Sequence, residues 1–274
     1  MKTVCLFGPN LPPFFVDANP ASEALETCAI DLWHAGFGVL VPHLNAPRAD
    51  GLKIPSWLQL SFDAAAIRKF SDAVFVMPGW ESDDSVWARV ALAEEAGKSV
   101  FESLEQIVRW REGKPHVTLK GVFGEVLWNI DLVRPIKIVF VVGKYFVGEK
   151  KGDIWVPDRN AIHENILGAN RVAVTLWNEG IGAFTPHNNT HHFELKTRIG
   201  EPIYQEFDQL LLERFTEALV VLPSWVNSTG APKEVAKAQG LGRLVIDAYD
   251  LKSIRNWRDG KGSVNVIATV LAEK

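Results

Sequence analysis

Little in this chain of 274 residues speaks for a secreted, membrane-bound or metal-centred protein. It has only two cysteines, Cys5 and Cys28, and no CxxC or other zinc spacing. Both lie in apolar-patterned segments and read as buried free thiols in a reducing cytoplasm. No apolar run approaches the roughly 20 residues that a transmembrane helix needs. The opening "MKTVCLFGPN" carries one lysine and a short apolar run broken by Gly-Pro, so it reads as a first strand and not as a signal peptide. Excess positive charge is missing too. The net charge of −4 gives no general reason to expect nucleic acid or an anionic membrane as partner. The expectation is a cytoplasmic protein that acts on a small molecule.

What is present suits a globular chain. Hydrophobic residues make up 47% and charged residues 23%, enough for a sizeable core in one large domain or two small ones. Ten tryptophans suggest aromatic packing or an aromatic-lined pocket.

The chain is written twice. "LWHAGFGVLVPHLN" (from Leu32) matches "LWNEGIGAFTPHNN" (from Leu176), with Trp33 and Trp177 144 residues apart. "IRKFSDAVFVMPGW" (from Ile67) matches "LERFTEALVVLPSW" (from Leu212), with Trp80 and Trp225 145 residues apart. "VRWREGKP" (from Val108) echoes "RNWRDGKG" (from Arg255). Matched blocks at a nearly constant offset imply two homologous units. The boundaries expected are 1–112 for the first unit, 113–133 for a connector, and 134–274 for the second unit with its C-terminal extension.

Each unit repeats one order of elements. An apolar strand ends at a glycine, Gly8 or Gly143. A helix follows and stops at Gly36 or Gly180. A short strand leads to Pro42-His43 or Pro186-His187. Another helix precedes a continuous apolar run, "DAVFVM" or "EALVVL", as in a buried parallel strand. A loop, a helix, a strand and a last helix complete the unit. Strands alternating with helices predict an α/β fold: two tandem Rossmann-like (flavodoxin-like) parallel-sheet units packed as a pseudo-dimer. In such sheets ligands sit at the carboxyl ends of the strands.

The most informative loop at that edge is "PSWVNSTGAPKEVAKAQGLGRLVI" (from Pro223). Pro232 suits the first turn of a helix, and Gly230 before it permits close backbone approach. The free N–H groups of the helix start make an anion site, to which Ser228 adds a hydroxyl. Glu234 then falls in the first or second turn. It is either a carboxylate complementing the helix dipole or the reactive group of an enzyme.

Ser228-x-Gly230-Ala231-x-x-Glu234-x-Ala236 after "LPSW" resembles the signature of the nucleoside 2-deoxyribosyltransferase-like superfamily. The resemblance also takes in the strand ending at Gly143 and the "PHNN" segment, and so most of the second unit. It implies that Glu234 is the nucleophile that attacks the anomeric carbon and displaces the base. It implies that Ser228, a serine in the related nucleoside 5′-monophosphate N-glycosidases, helps to bind the phosphate, with Gly230, Ala231 and the loop after Gly143 beside it. Phe140 departs from the tyrosine that many relatives carry. The physics agrees with the division: a hydroxyl and backbone N–H groups attract a phosphate that a carboxylate would repel. A carboxylate stabilises or captures an oxocarbenium-like centre and needs no cofactor. In the first unit Asp83, Ser85 and Arg89 stand at the positions of Ser228, Gly230 and Glu234. Arginine has no nucleophilic lone pair at neutral pH, so that unit is expected to have lost the chemistry.

"FTPHNNTHHFE" (from Phe184) gathers polar residues at the same edge. Asn188 and Asn189 suit a sugar hydroxyl or a base edge. His187 suits protonation of a leaving base near neutral pH. A metal on His187, His191 and His192 is an alternative, as is a solvated capping loop, and the expectation is no metal. Lys144 and Tyr145 are either ligand contacts or ordinary loop residues. The functional expectation is an N-glycosidase (nucleotide hydrolase) acting on a (deoxy)nucleoside 5′-monophosphate or nucleoside. Transfer to a second base is the alternative within the enzymes, and a non-catalytic nucleotide-binding or sensing module the alternative outside them. A homo-oligomer is compatible with either.

Overall fold

A computed structural model describes residues 1–9, 20–45, 54–119, 133–151, 154–189 and 199–267. Two compact units are present, one comprising Met1–Ile136 with His192–Phe207, the other Lys137–His191 with Asp208–Lys274.

The first unit runs β1 (Lys2–Phe7), α1 (Pro20–His34), β2 (Phe37–Leu40), a helical turn α2 (Pro42–Asn45) and α3 (Ser56–Ala65), which continues as a π turn (Ala66–Phe70). Then come β3 (Ala73–Val76), α4 (Asp84–Glu95), β4 (Ser99–Phe101) and α5 (Leu104–Arg111). The strands form a parallel sheet in the order β2-β1-β3-β4. Val4, Cys5 and Leu6 of β1 and all of β3 except Phe75 are fully closed to solvent, and Phe75 nearly so. Such continuous apolar runs are what a sheet covered on both faces requires.

The second unit repeats the plan. It runs β5 (Ile138–Val142), β6 (Gly148–Lys151), β7 (Ile154–Pro157), α6 (Arg159–Asn178), β8 (Gly182–Phe184) and a helical turn α7 (Pro186–Asn189). Then follow α8 (Glu201–Arg214), β9 (Ala218–Val221), α9 (Ala231–Gly240), β10 (Leu244–Asp247) and α10 (Leu251–Asp259). Its parallel sheet has the order β10-β9-β5-β8. The new element is the antiparallel pair β6–β7, with Lys151 opposite Ile154. Gly-Asp at 152 and 153 is the hairpin signal in the sequence.

The repeated sequence blocks have matching structural jobs. Gly36 and Gly180 end α1 and α6 with φ of 81° and 74°, a left-handed turn that side chains with a Cβ resist. Each helix end is then covered from the last helix of its own unit. The guanidinium of Arg111 donates to the Ala35 carbonyl, and that of Arg258 to the Glu179 carbonyl at 2.5 Å. Beside them, the Lys2 ammonium sits 3.6 Å from the centre of the Trp110 ring and that of Lys137 5.5 Å from Trp257. The "RWREGK" and "NWRDGK" echo is thus a helix-end lid and a cation–π seat, written once per copy.

The repeat assigns all of α8 to the second copy, but its residues up to Phe207 belong to the first compact unit. The reason is apolar packing: Phe207 meets Trp33 and Phe70 edge-on, at 5.0 and 5.5 Å between ring centres. From Asp208 onward the helix belongs to the second unit. Among the described residues no helix is long and apolar enough to cross a membrane. Both cysteines are free, and burial raises the thiol pKa of each, to about 12 for Cys28.

Candidate functional site

Helix α9 starts where β9 delivers the chain to the carboxyl edge of the second sheet. Pro223–Asn227 form a 3₁₀ turn, and Gly230 precedes the first helical residue, Ala231. The Ser228 Oγ accepts from the N–H groups of both Gly230 and Ala231, at 3.3 Å each. Asp83 does the same job in the first unit, accepting from the Ser85 N–H at 2.8 Å. Pro232 has no N–H, and those of Lys233 and Glu234 bond to the Gly230 carbonyl. The helix start is therefore capped locally by Ser228. Its two longest bonds, and the hydroxyl proton, are what an incoming anion would meet. Ala231 is buried, and a Cβ placed on Gly230 would meet nothing within 4 Å.

Glu234 does not stand alone. Its side chain retains part of its surface, yet the protein packed around the carboxyl group excludes enough water to raise its pKa to about 7. Asp208, on α8, is raised well above the ordinary carboxylate range, first by burial and then by the negative charge of Glu234. Remaining surface decides access, and local packing decides titration, so the two residues form a reachable but poorly hydrated pair of carboxyl groups. Burial favours the protonated form of each, and the charge of Glu234 favours it further at Asp208. Asp208 carries no motif of its own in the sequence. The repeat held the signal: Asp63 stands 145 residues before Asp208, just as Arg89 stands 145 before Glu234.

The first unit shows that same position filled by an ion pair. Arg89 contacts Asp63 Oδ2 through Nε at 2.8 Å and Nη2 at 2.7 Å, with the Asp63 side chain 1% exposed. Gln59 donates to the other oxygen at 2.9 Å. One copy thus neutralises its buried aspartate with a cation; the other has a carboxyl group, Glu234, at the arginine's position, and its charge raises the pKa of Asp208.

Comparison with protein-family models, characterised proteins and solved structures returned no match to this chain. The case for chemistry therefore rests on the residues themselves.

The remaining expected site residues divide. His187 is 4% exposed, and burial lowers its pKa to about 4. It is neutral at pH 7 and cannot serve there as the imidazolium acid that the sequence suggested. Its Nε2 lies 3.3 Å from the Lys144 carbonyl, its Nδ1 is buried with no partner, and its ring meets Tyr145 edge-on. Asn188 reaches the Asn170 side chain at 3.5 Å. Asn189 is fully buried at the place where Asn45 of the first unit donates to the Val41 carbonyl at 3.1 Å. The Pro-His-x-Asn motif is a helical turn in both copies, with Asn45, His187 and Asn189 buried and His43 half-buried. Phe140 is core, tilted against Phe184 at 5.3 Å. Among the described residues no group of three His, Cys, Asp or Glu could hold a metal. His191 and His192 lie outside the described residues.

Gly143 has a packing reason to be glycine. A Cβ there would stand 2.4 Å from Leu222 Cδ1 and 3.2 Å from its Cβ, while at Gly8 the nearest atom would be Met77 Sδ at 2.6 Å. Gly143→Ala is expected to cost about 1–3 kcal/mol through overpacking. Gly8→Ala should cost less, because methionine yields. Urea unfolding of the two variants checks the order.

Proposed function

We propose that the second unit cleaves, or exchanges, the N-glycosidic bond of a (deoxy)nucleoside 5′-monophosphate or nucleoside. The observation that carries this reading is Glu234 in the first turn of α9, beyond the carboxyl end of β9, with its carboxyl raised by burial and its charge felt by Asp208. It joins the nucleoside 2-deoxyribosyltransferase-like pattern around Glu234. Two carboxyl groups whose surroundings separate their proton affinities can act as base and acid in one site. In the proposed roles Asp208, raised by burial and by the charge of Glu234, carries the proton, and Glu234 is the carboxylate.

In the first step a Glu234 oxygen attacks the anomeric carbon as the bond from that carbon to the base nitrogen breaks. The bonding pair leaves with the base, and Asp208 delivers its proton to it. A glycosyl ester on Glu234 results. In the second step the Asp208 carboxylate takes a proton from water, whose oxygen attacks the anomeric carbon and frees Glu234. A free base in place of water gives transfer. Ser228 is assigned to the 5′-phosphate, with the Gly230 and Ala231 N–H groups exchanging the Ser228 oxygen for a phosphate oxygen on binding.

Chromatography of free base released from a panel of nucleosides and 5′-monophosphates, with and without an added base, tests the reading. Release that needs the 5′-phosphate supports the assignment of Ser228, and release that needs added base means transfer. No release from any substrate removes the enzymatic reading in favour of a binding module.

The pH profile has a definite sign. Glu234 must be ionised to attack, so kcat/KM should climb with pH through about 7. Asp208 must be protonated to assist departure, so the rate should fall once pH passes its raised pKa. In Asp208→Asn the fall at high pH should vanish while the acid limb stays near 7, because burial, not the charge of Asp208, raises Glu234.

A further inference from the structure

The two copies differ in length in a patterned way. From Trp33 to Pro42 and from Trp177 to Pro186 the spacing is nine residues; from Phe70 to Trp80 and from Phe215 to Trp225 it is ten. From Trp80 to Glu102 and from Trp225 to Asp247 it is 22. The turns that enter strands have not changed. The second copy is longer by nine residues between Gly143 and Trp177, by one between Pro186 and Asp208, and by two between Asp247 and Leu251. Each of these stretches follows a strand (β5, β8 or β10), on the side of the sheet where Glu234 stands.

The two-residue step is Ala248-Tyr249. In the first copy Glu102 passes directly to Ser103 and Leu104. Here Tyr249 is 70% exposed. Its backbone is nonetheless held: its N–H donates to Asp247 at 2.8 Å, and Asp250 caps α10 through the Ser253 N–H at 3.0 Å. An aromatic ring in water on a fixed backbone leaves apolar surface uncovered. Two neighbours share the feature: Val226 after β9 is 59% exposed and Phe146 after β5 is 40% exposed. Strands β10, β9 and β5 are consecutive in the sheet, so three adjacent loops each offer one apolar side chain at the same edge. The first copy has the exposed Glu81 at the Val226 position.

We propose that Tyr249 is a specificity-determining residue whose ring stacks on the departing base while the anomeric carbon faces Glu234. The inference rests on the glycosidic reading above. Strand β10 lies one strand spacing, about 4.8 Å, from β9, which leads into α9. The Tyr249 turn thus follows the strand next to the one that leads to Glu234. A flat face that hydrogen-bonds to nothing in the base accepts any base, so this contact selects for an aromatic leaving group and not for one base over another.

The experiment uses the full chain carrying Glu234→Gln, so that nothing turns over. It is titrated by calorimetry with 2′-deoxyadenosine and 2′-deoxycytidine 5′-monophosphates, the nucleosides and the free bases. Tyr249→Ala, and deletion of 248–249 to the first copy's length, should weaken binding on the order of 10- to 100-fold; Tyr249→Phe should stay within about threefold. With Glu234 restored, Tyr249→Ala should raise KM and leave kcat in place. Unchanged affinity in Tyr249→Ala overturns the stacking role, whether or not base is released. Binding that depends on Tyr249 without base release by any variant keeps the stacking role and overturns the glycosidic reading. No binding of any of these compounds overturns both.

Discussion

Glu234→Gln is expected to abolish base release and, at alkaline pH, to make the protein more stable. The loss should be on the order of 10⁴- to 10⁶-fold in kcat, the scale seen when a covalent nucleophile is removed. The stability gain follows from linkage. A carboxyl group whose pKa is raised on folding contributes most stability below its unfolded pKa. That contribution is lost as pH rises through the folded value. For Glu234 the window runs from the ordinary carboxylate range to about 7. Glutamine keeps the shape without the charge, so the variant should melt higher than wild type at pH 8 and alongside it at pH 5. Asp208→Asn should lower the rate by about 10²- to 10⁴-fold, as for a general acid. The double variant should be scarcely slower than Glu234→Gln, because the two act in one step. Base release and thermal melts at the two pH values test both parts. A variant that melts lower than wild type at pH 8 would mean that Glu234 stabilises the fold and is no strained reactive group.

The second large effect belongs to the first unit. Arg89→Leu should destabilise the protein by about 3–5 kcal/mol at pH 7, because it strands the Asp63 carboxylate in a buried site. Burial already raises Asp63, against the downward pull of Arg89 and Gln59. Without the guanidinium the carboxyl must take up a proton to stay folded, so the loss should shrink as pH falls toward the unfolded pKa. Asp63→Leu added to Arg89→Leu should recover most of the loss, since apolar groups of similar volume can replace a buried pair. Urea unfolding at pH 4.5 and pH 7 measures all three. Base release should persist in whatever fraction stays folded. Its disappearance from folded Arg89→Leu protein would show that the first unit takes part in the reaction.

Most of the architecture was legible because the chain states it twice. A pattern seen in both "DAVFVM" and "EALVVL" separates a buried strand from chance, and Gly36 with Gly180 marks the same helix stop. What the repeat could not carry was burial. His187 in "TPHNN" reads as a titrating loop histidine until the packing around it is seen. Asn189 reads as a ligand contact until Asn45 is found holding a carbonyl in the other copy. Asp208 was hidden for the opposite reason: Glu206 and Gln209 make its stretch of sequence look wet, although Tyr204, Leu211 and Leu212, which share its helix face, do not. Only the comparison of Asp63–Arg89 with Asp208–Glu234 shows the position to be the same in both copies. The place of Glu234 in the first turn of a helix was legible from its strand–loop–helix setting; that Ser228 caps the helix start, accepting from N–H groups the sequence left free for an anion, was not.

The unchanged turns before each strand also make the copies interchangeable parts. Met77 to Phe101 and Leu222 to Ile246 are cassettes of equal length that begin and end at equivalent points in parallel sheets. Exchanging one for the other at the gene level would carry Glu234 opposite Asp63, or Arg89 opposite Asp208, without moving a strand. The duplication thus supplies its own control: one scaffold and one register, in which the charge beside a buried aspartate can be chosen by transplanting a segment the protein already contains.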